Sequence, residues 1–162
     1  MSAGTQPTAP RVAWARAALV FAVVVIADQV VKGLVTHAIA RGEERRIVGD
    51  TIKLVDVRND GVAFGQLQNG GALVSVVIAI AVIALLVYFA RHATRRWIWL
   101  PTGMLLGGAV GNIVDRVREG AVIDFLKLPH WPPFNLADSA ITIGVVVLVL
   151  VMELGDVDRR SG

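Results

Sequence analysis

Residues 72–90 decide the fold, because they read ALVSVVIAIAVIALLVYFA and contain no charged side chain. A helix rises about 1.5 Å per residue, so a run of this length crosses the hydrocarbon core of a bilayer, which is about 30 Å thick. Three further segments have similar length and character, at about residues 14–35, 97–114 and 134–154. The sequence therefore predicts an all-α integral membrane protein with four transmembrane helices.

The composition of the whole chain favours the same class. Of 162 residues, 55% are hydrophobic and 18% are charged, with a mean hydropathy of +0.64. A soluble domain has about 45–50% apolar and about 25% charged residues. The chain contains no cysteine, which excludes a disulfide framework, a thiolate metal site and a cysteine nucleophile. The net charge of +3 comes from short basic clusters between apolar runs, so we expect membrane lipid as a partner and no nucleic acid.

The distribution of basic residues predicts the orientation. The hairpin 91–96 has three arginines and no acid, whereas the loop 36–71 has five basic and five acidic residues. Short cytoplasmic loops carry an excess of Lys and Arg, so we place the hairpin and both termini in the cytoplasm and the loops 36–71 and 115–133 outside. We expect residues 1–162 to form a single membrane domain, monomeric and without a cofactor, and its first eleven residues to be disordered.

The first span has an alternative interpretation as a cleaved signal peptide. Arg11 and Arg16 precede an apolar run over residues 17–27, which resembles such a leader. The apolar character resumes after Asp28 and continues to Val35, however, which gives the segment enough length to span the membrane and remain.

The first outer loop contains a stretch with β propensity. Residues 46–62 are rich in Ile, Val and Leu and are interrupted by Gly49-Asp50 and by Asn59-Asp60-Gly61, which are turn signals. We therefore predict a small extracytoplasmic β-structured region, either a hairpin or a sheet, on the outer face.

Three acidic residues fall inside predicted spans, where a charge costs at least about 2.5 kcal/mol at a helix centre. Asp115 lies about 27 Å along its helix from the inner end, Asp138 about 6 Å from the outer end, and Asp28 about 10 Å from the outer end. All three are therefore predicted near the outer leaflet. Carboxylates at such a depth are candidates for function.

Asp115 and Asp138 form the better pair for catalysis. Each follows an asparagine by three residues, Asn112 and Asn135, so an amide lies one turn away. Two carboxylates in a site of low dielectric do not both ionise, so one keeps a proton while the other activates water. The alternative is that both aspartates are helix caps at the membrane interface.

Other polar residues give weaker signals. Asp28 and Lys32 are four apart with the acid first, so they are interpreted mainly as an ion pair that orders the outer end of the first helix. By spacing alone, Asn59 and Gly61 indicate a loop reversal, and Asp124 indicates a solvated or structural acid of the outer loop.

Taken in order, four short motifs resemble those of the bacterial lipoprotein signal peptidases, also called signal peptidase II. They cover the chain from the first predicted helix to the fourth, and they read Asp28-Gln29-Val30-Val31-Lys32, Asn59-Asp60-Gly61-Val62-Ala63-Phe64-Gly65, Gly111-Asn112-Ile113-Val114-Asp115-Arg116 and Phe134-Asn135-Leu136-Ala137-Asp138. The second motif departs from the family in having Asp before Gly61 and Val after it.

The resemblance implies an intramembrane aspartic endopeptidase of the bacterial cytoplasmic membrane. Such an enzyme removes the signal peptide of a prolipoprotein just before a cysteine that carries diacylglycerol. The resemblance assigns the catalytic dyad to Asp115 and Asp138. It assigns supporting or substrate-binding roles to Asn59, Gly61, Asn112, Arg116, Asn135, Asp28 and Lys32, and it makes Asp124 a further supporting candidate.

Other functions fit the sequence less well. A small proton-coupled transporter would also need membrane acids, but such acids usually lie near the midplane and the fold usually contains repeats, which this sequence lacks. A zinc peptidase would need H-E-x-x-H, whereas the three histidines are scattered. Serine chemistry would need a base beside the serine or a G-x-S-x-G setting, and the sequence has neither.

Overall fold

The computed structural model describes residues 9–60 and 70–160 as four helices and a three-stranded sheet. The helices are α1 (Pro10–Ala38), α2 (Gly70–His92), α3 (Trp99–Glu119) and α4 (Leu136–Arg160), and the strands are β1 (Glu44–Val48), β2 (Ile52–Asn59) and β3 (Val122–Lys127). The prediction of disorder over residues 1–11 is wrong for the last two of them, because Pro10 and Arg11 begin α1. Residues 1–8 of that prediction lie outside the described residues.

Two of the described helices are long and apolar enough to cross a bilayer. These are α1 and the segment Leu136–Glu153 of α4, and each has a mean hydropathy of 2.1 in its most apolar window. The described apolar part of α2, Val76–His92, is shorter. The helical, membrane-compatible character of the prediction is confirmed, and the number of spans stays a prediction.

Helix α3 differs from its predicted limits at both ends. It begins at Trp99 because Trp97 has a φ of 64°, which a helix cannot contain. It ends at Glu119 because Gly120 has a φ of 75° and donates its N–H to Arg116 O at 3.1 Å, the usual left-handed termination. Asp115 therefore lies inside the helix, one turn before its end, and the outer loop does not begin at residue 115 as predicted.

The predicted β-structured region is confirmed as an antiparallel sheet of order β1-β2-β3. Strands β1 and β2 form the expected hairpin, with Gly49 at a φ of 51° in its turn. The third strand, β3, was not predicted and comes from the other outer loop. The sheet thus joins the two outer loops and brings β3 beside Asn59 at the end of β2.

Glycines let α3 approach its two neighbours closely. A Cβ atom at Gly103 would lie 2.6 Å from Ala17 O of α1, and one at Gly108 would lie 2.4 Å from Ala137 O of α4. Any larger residue would force the helices apart. The close approach of α1, α3 and α4 places their polar side chains within hydrogen-bonding distance of one another.

Candidate active site

A buried lysine joins α1 to α3. Lys32 Nζ lies 2.7 Å from Asp28 Oδ2 and 2.7 Å from Asp115 Oδ2, and it donates to Asn112 Oδ1 at 3.2 Å. Asp28 is 0% exposed and Lys32 is 2% exposed. The predicted ion pair is therefore present, but it is not an isolated pair within the first helix, because Lys32 is shared with Asp115 of α3. Two carboxylates and one ammonium stabilise one another where water is excluded.

Both carboxylate oxygens of Asp115 are occupied. Oδ1 accepts a hydrogen bond from Gln29 Nε2 at 2.9 Å, and Oδ2 accepts one from the backbone N–H of Ile123 at 3.1 Å as well as the contact with Lys32. Gln29 was not predicted as a site residue, although it follows Asp28 directly in the first motif. These contacts fix the position of the Asp115 carboxylate.

Asp28 holds the beginning of α4. Its Oδ1 accepts a hydrogen bond from the backbone N–H of Ala137 at 2.9 Å, in the first turn of that helix. A carboxylate near a helix N-terminus satisfies a backbone donor that has no partner within the helix. Asp28 therefore stabilises the contact between α1 and the first turn of α4.

Two asparagines organise Asp138. Asn112 Nδ2 donates to Asp138 Oδ1 at 2.8 Å, from α3 to α4. Asp138 N donates to Asn135 Oδ1 at 2.9 Å, and Asn135 N donates to Asp138 Oδ2 at 3.3 Å. Asn135 and Asp138 therefore form a reciprocal capping box at the start of α4, which explains why the helix begins at Leu136 and not at residue 134 as predicted.

Asp124 on β3 lies at the centre of a second polar group. Its Oδ1 accepts from Asn135 Nδ2 at 2.8 Å, and its Oδ2 accepts from Asn59 Nδ2 at 2.9 Å. Burial raises the pKa of Asp124 to about 6, with a further increase from the charge of Asp138 and opposing effects from the hydrogen bonds of Asn59 and Asn135. Asp124 is thus a buried acid that keeps its proton more readily than an ordinary aspartate.

Arg116 lies half-buried beside this group, and its Nη1 donates to the backbone oxygen of Asn112 at 3.4 Å. Its Nε is buried and has no hydrogen-bond partner. Gly61, the remaining predicted site residue, lies outside the described residues. Among the side chains of residues 9–60 and 76–153, no group of three or more His, Asp or Glu is placed to hold a metal ion.

An apolar groove leads to these polar residues. It has a volume of about 260 Å³ and ends at Asn112, and helices α2, α3 and α4 supply its apolar lining residues Ile78, Ala81, Val82, Leu85, Leu105, Ala109 and Ile141. The groove joins an apolar surface to the amide that contacts Asp138. Such a site can take a ligand that is apolar along its length and polar at one end.

The chain is similar to known bacterial membrane proteins. The family model described as signal peptidase (SPase) II matches residues 20–154. The lipoprotein signal peptidase of Halothermothrix orenii is 38% identical over 134 residues, covering 83% of this chain and 92% of the relative. The lipoprotein signal peptidase of Moorella thermoacetica is 39% identical over 146 residues, covering 88% of this chain and 97% of the relative.

A solved structure described as a bacterial membrane enzyme structure, obtained by the in meso method at 1.9 Å resolution, has a similar fold. The TM-score is 0.79 and the sequence identity is 30%, covering 84% of this chain and 91% of that one.

Proposed function

Because this chain belongs to the signal peptidase II family, which removes signal peptides from prolipoproteins, we propose that it hydrolyses the peptide bond just before the lipidated cysteine with a pair of aspartates. We propose Asp124 and Asp138 as that pair. The assignment revises the prediction from the sequence, which paired Asp138 with Asp115.

The observation that carries this proposal is that Asn135 contacts both carboxylates. Its side-chain nitrogen donates to Asp124, while its backbone nitrogen and side-chain oxygen contact Asp138. The charge of Asp138 contributes to the raised pKa of Asp124, as expected for two neighbouring acids that share one proton. Asp115 is less suitable, because its partners include the ammonium group of Lys32, whereas the donors to Asp124 are two neutral amides.

The proposed reaction divides the roles between the two acids. Ionised Asp138, oriented by Asn112, takes a proton from a water molecule, and the water oxygen attacks the carbonyl carbon of the scissile bond. Asp124 gives its proton to the carbonyl oxygen. When the tetrahedral intermediate collapses, the carbon–nitrogen bond breaks and the amine nitrogen takes the proton from Asp138. Asp124 recovers its own proton as the carbonyl forms again.

The groove supports a substrate of this chemistry. A diacylglyceryl-prolipoprotein is apolar along its signal peptide and lipid chains and polar at the scissile bond. The groove is likewise apolar until Asn112, which contacts Asp138. We propose that an apolar part of the substrate lies between α2, α3 and α4, with the scissile bond at the aspartates.

We also propose the topology that the sequence predicts. Residues 1–162 form one monomeric membrane domain with four spans, both termini in the cytoplasm and the aspartates near the outer face. The arginine-rich hairpin 91–96 and the sheet that adjoins the aspartates lie at opposite ends of the helices, which supports this arrangement.

A cleavage assay tests the proposed function. The purified full-length protein in detergent is mixed with a diacylglyceryl-modified prolipoprotein, and the product is followed by its mobility on a gel. We expect cleavage by the wild type, none by Asp138→Asn, and unchanged cleavage by Asp50→Asn, which alters an exposed acid of the sheet. Equal cleavage of an unlipidated substrate, or full activity of Asp138→Asn, would contradict the proposal.

A further inference from the structure

Arginines and tryptophans gather at the end of the bundle away from the aspartates. Arg16 lies in the second turn of α1, Arg96 and Trp97 lie between α2 and α3, and Trp99 begins α3. We call these four residues the basic aromatic cluster. Trp99 precedes Asp115 by sixteen residues of α3, or about 24 Å along the axis. The cluster is therefore far from the proposed site of peptide hydrolysis.

Each of the two tryptophan rings lies close to a guanidinium group. The rings of Trp97 and Trp99 have centroids 5.6 Å apart. Arg16 Cζ lies 5.6 Å from the Trp99 centroid, and Arg96 Cζ lies 5.9 Å from the Trp97 centroid. Both distances are within the range of cation–π attraction. Such a contact uses the charge of the guanidinium group without occupying its N–H donors with an acceptor.

The positive charge at this end is not neutralised within the described residues. Arg11, Arg16, Arg91 and Arg96 are exposed, and the ion pairs among the side chains of residues 9–60 and 76–153 include none of them. Glu153, an exposed acid of α4 near this end, forms no ion pair with the side chains of residues 9–60 and 76–153 either. Among the side chains that the structure describes, the guanidinium groups of the cluster therefore have no anionic partner.

The surroundings of the cluster are apolar as well as basic. Trp97 is 48% exposed, and Val12 and Leu19 on α1 are exposed beside Arg16. Tryptophan at a membrane interface places its apolar ring among acyl chains and its polar edge at the headgroups. A free phosphate ion would use the arginines alone, whereas a phospholipid would also use the exposed apolar side chains.

We propose that the basic aromatic cluster binds the phosphate headgroup of an anionic phospholipid. The guanidinium groups of Arg16 and Arg96 bind the phosphate, and the acyl chains lie along the exposed apolar face of α1. In the proposed topology this lipid belongs to the cytoplasmic leaflet, whose negative surface attracts basic residues. The binding does not depend on peptidase activity, so it can be tested separately from the proposed function.

Native mass spectrometry of the full-length protein in detergent tests the proposal. Phosphatidylglycerol and phosphatidylcholine with identical acyl chains are titrated against the wild type and against the Arg16→Gln/Arg96→Gln variant. Each basic residue at a membrane surface contributes about fivefold to binding of an anionic lipid. We therefore expect the wild type to prefer phosphatidylglycerol and the double variant to lose about 25-fold of that preference.

The matched control is Arg46→Gln/Arg118→Gln, which removes two exposed arginines from the opposite end of the helices. We expect this control to retain the preference. An unchanged preference in the Arg16→Gln/Arg96→Gln variant, or an equal loss in the control, would overturn the proposal. Displacement of the lipid by millimolar inorganic phosphate would also overturn it, because the cluster would then be a site for a free anion.

Discussion

Asp115 and Asp124 are equally buried, since each residue is 2% exposed, yet the partners of their carboxylates differ. Asp115 lies 2.7 Å from an ammonium group and accepts from two further donors. Asp124 accepts from two neutral amides and lies near the charge of Asp138. Burial alone therefore does not distinguish these two acids, whereas the charge of the groups around each carboxylate does.

The two groups also differ in what they join. The first group, which we call the Lys32 group, consists of Lys32, Asp28 and Asp115. It links α1 to α3 and, through Asp28, to the first turn of α4. The second group consists of Asn135, Asp124 and Asn59. It links α4 to β3 and, through Asn59, to β2. The first group holds the helices together, whereas the second connects α4 to the sheet. Under the proposed function, the first group has a structural role and the second a chemical one.

The largest effect is expected from Asp124→Asn. The substitution removes the proposed acid but keeps the shape of the side chain, so we expect cleavage to fall by about 10³-fold. We expect the thermal unfolding temperature to change little, because the loss of one hydrogen-bond acceptor for Asn59 or Asn135 opposes the gain from replacing a buried carboxyl with a raised pKa. The measurements are the gel assay of prolipoprotein cleavage and thermal unfolding in detergent, with Asp50→Asn as the control.

Asp115→Asn is expected to act mainly on stability. It leaves Lys32 buried with one carboxylate in place of two, and breaking a buried ionic network costs about 3–5 kcal/mol. Unfolding by SDS in mixed micelles measures this loss. The protein that remains folded at low temperature should still cleave the substrate. A variant with unchanged stability and no cleavage would instead return Asp115 to the catalytic pair that the sequence suggests.

Hydropathy predicted the helices well because a membrane span depends on properties that the sequence displays directly. Residues 14–35 were predicted for the first span, and the helix runs from Pro10 to Ala38. The turn signal at Gly49 and Asp50 likewise marked the hairpin of β1 and β2. These elements depend on residues that are close together in the chain, so a single sequence contains the signals that predict them.

The partners of the carboxylates were harder to predict because they depend on contacts between distant segments. The two Asn-x-x-Asp motifs look equivalent in sequence, yet Asn135 caps the helix of its own aspartate whereas Asn112 donates to an aspartate of another helix. Asp124 was interpreted as a loop acid because nothing in its own segment showed that β3 pairs with β2. The four-residue spacing of Gly103, Gly107 and Gly111 was an available signal for close helix packing that the prediction did not use.

Gly111→Ala is expected to disturb the Lys32 group without changing a polar residue. The added Cβ would lie 2.9 Å from Asp28 Oδ2, so the carboxylate or the helix must move. Overpacking of this kind costs about 1–3 kcal/mol, measured by the same SDS unfolding. Gly33→Ala is the matched control, because a Cβ there would meet nothing within 4 Å. If Gly111→Ala and Gly33→Ala are equally stable, the carboxylate of Asp28 can move without weakening the bundle, which would contradict this prediction.

The smallest effect is expected from Asn59→Ala, which changes only the surroundings of Asp124. In the wild type the pKa of Asp124 is about 6, above its ordinary value of 3.8, so the proton that the mechanism requires is lost as pH rises through about 6. The rate of cleavage should fall over that range. The hydrogen bond from Asn59 lowers this pKa, so its removal should move the decline to higher pH.

The control for this shift is Lys53→Ala, which changes the same strand at an exposed ion pair with Glu44 and should leave the pH profile unchanged. The stability of the protein gives a second check with a defined sign. Because the folded state holds the Asp124 proton more tightly than the unfolded state, its contribution to stability is complete below about pH 4 and is lost as pH rises through about 6. Asp124→Asn should remove this dependence. If Asp124→Asn keeps both the decline in cleavage rate and the change in stability with pH, another acid is responsible for the pH dependence. The different surroundings of Asp115 and Asp124 would then not explain which acid takes part in the reaction.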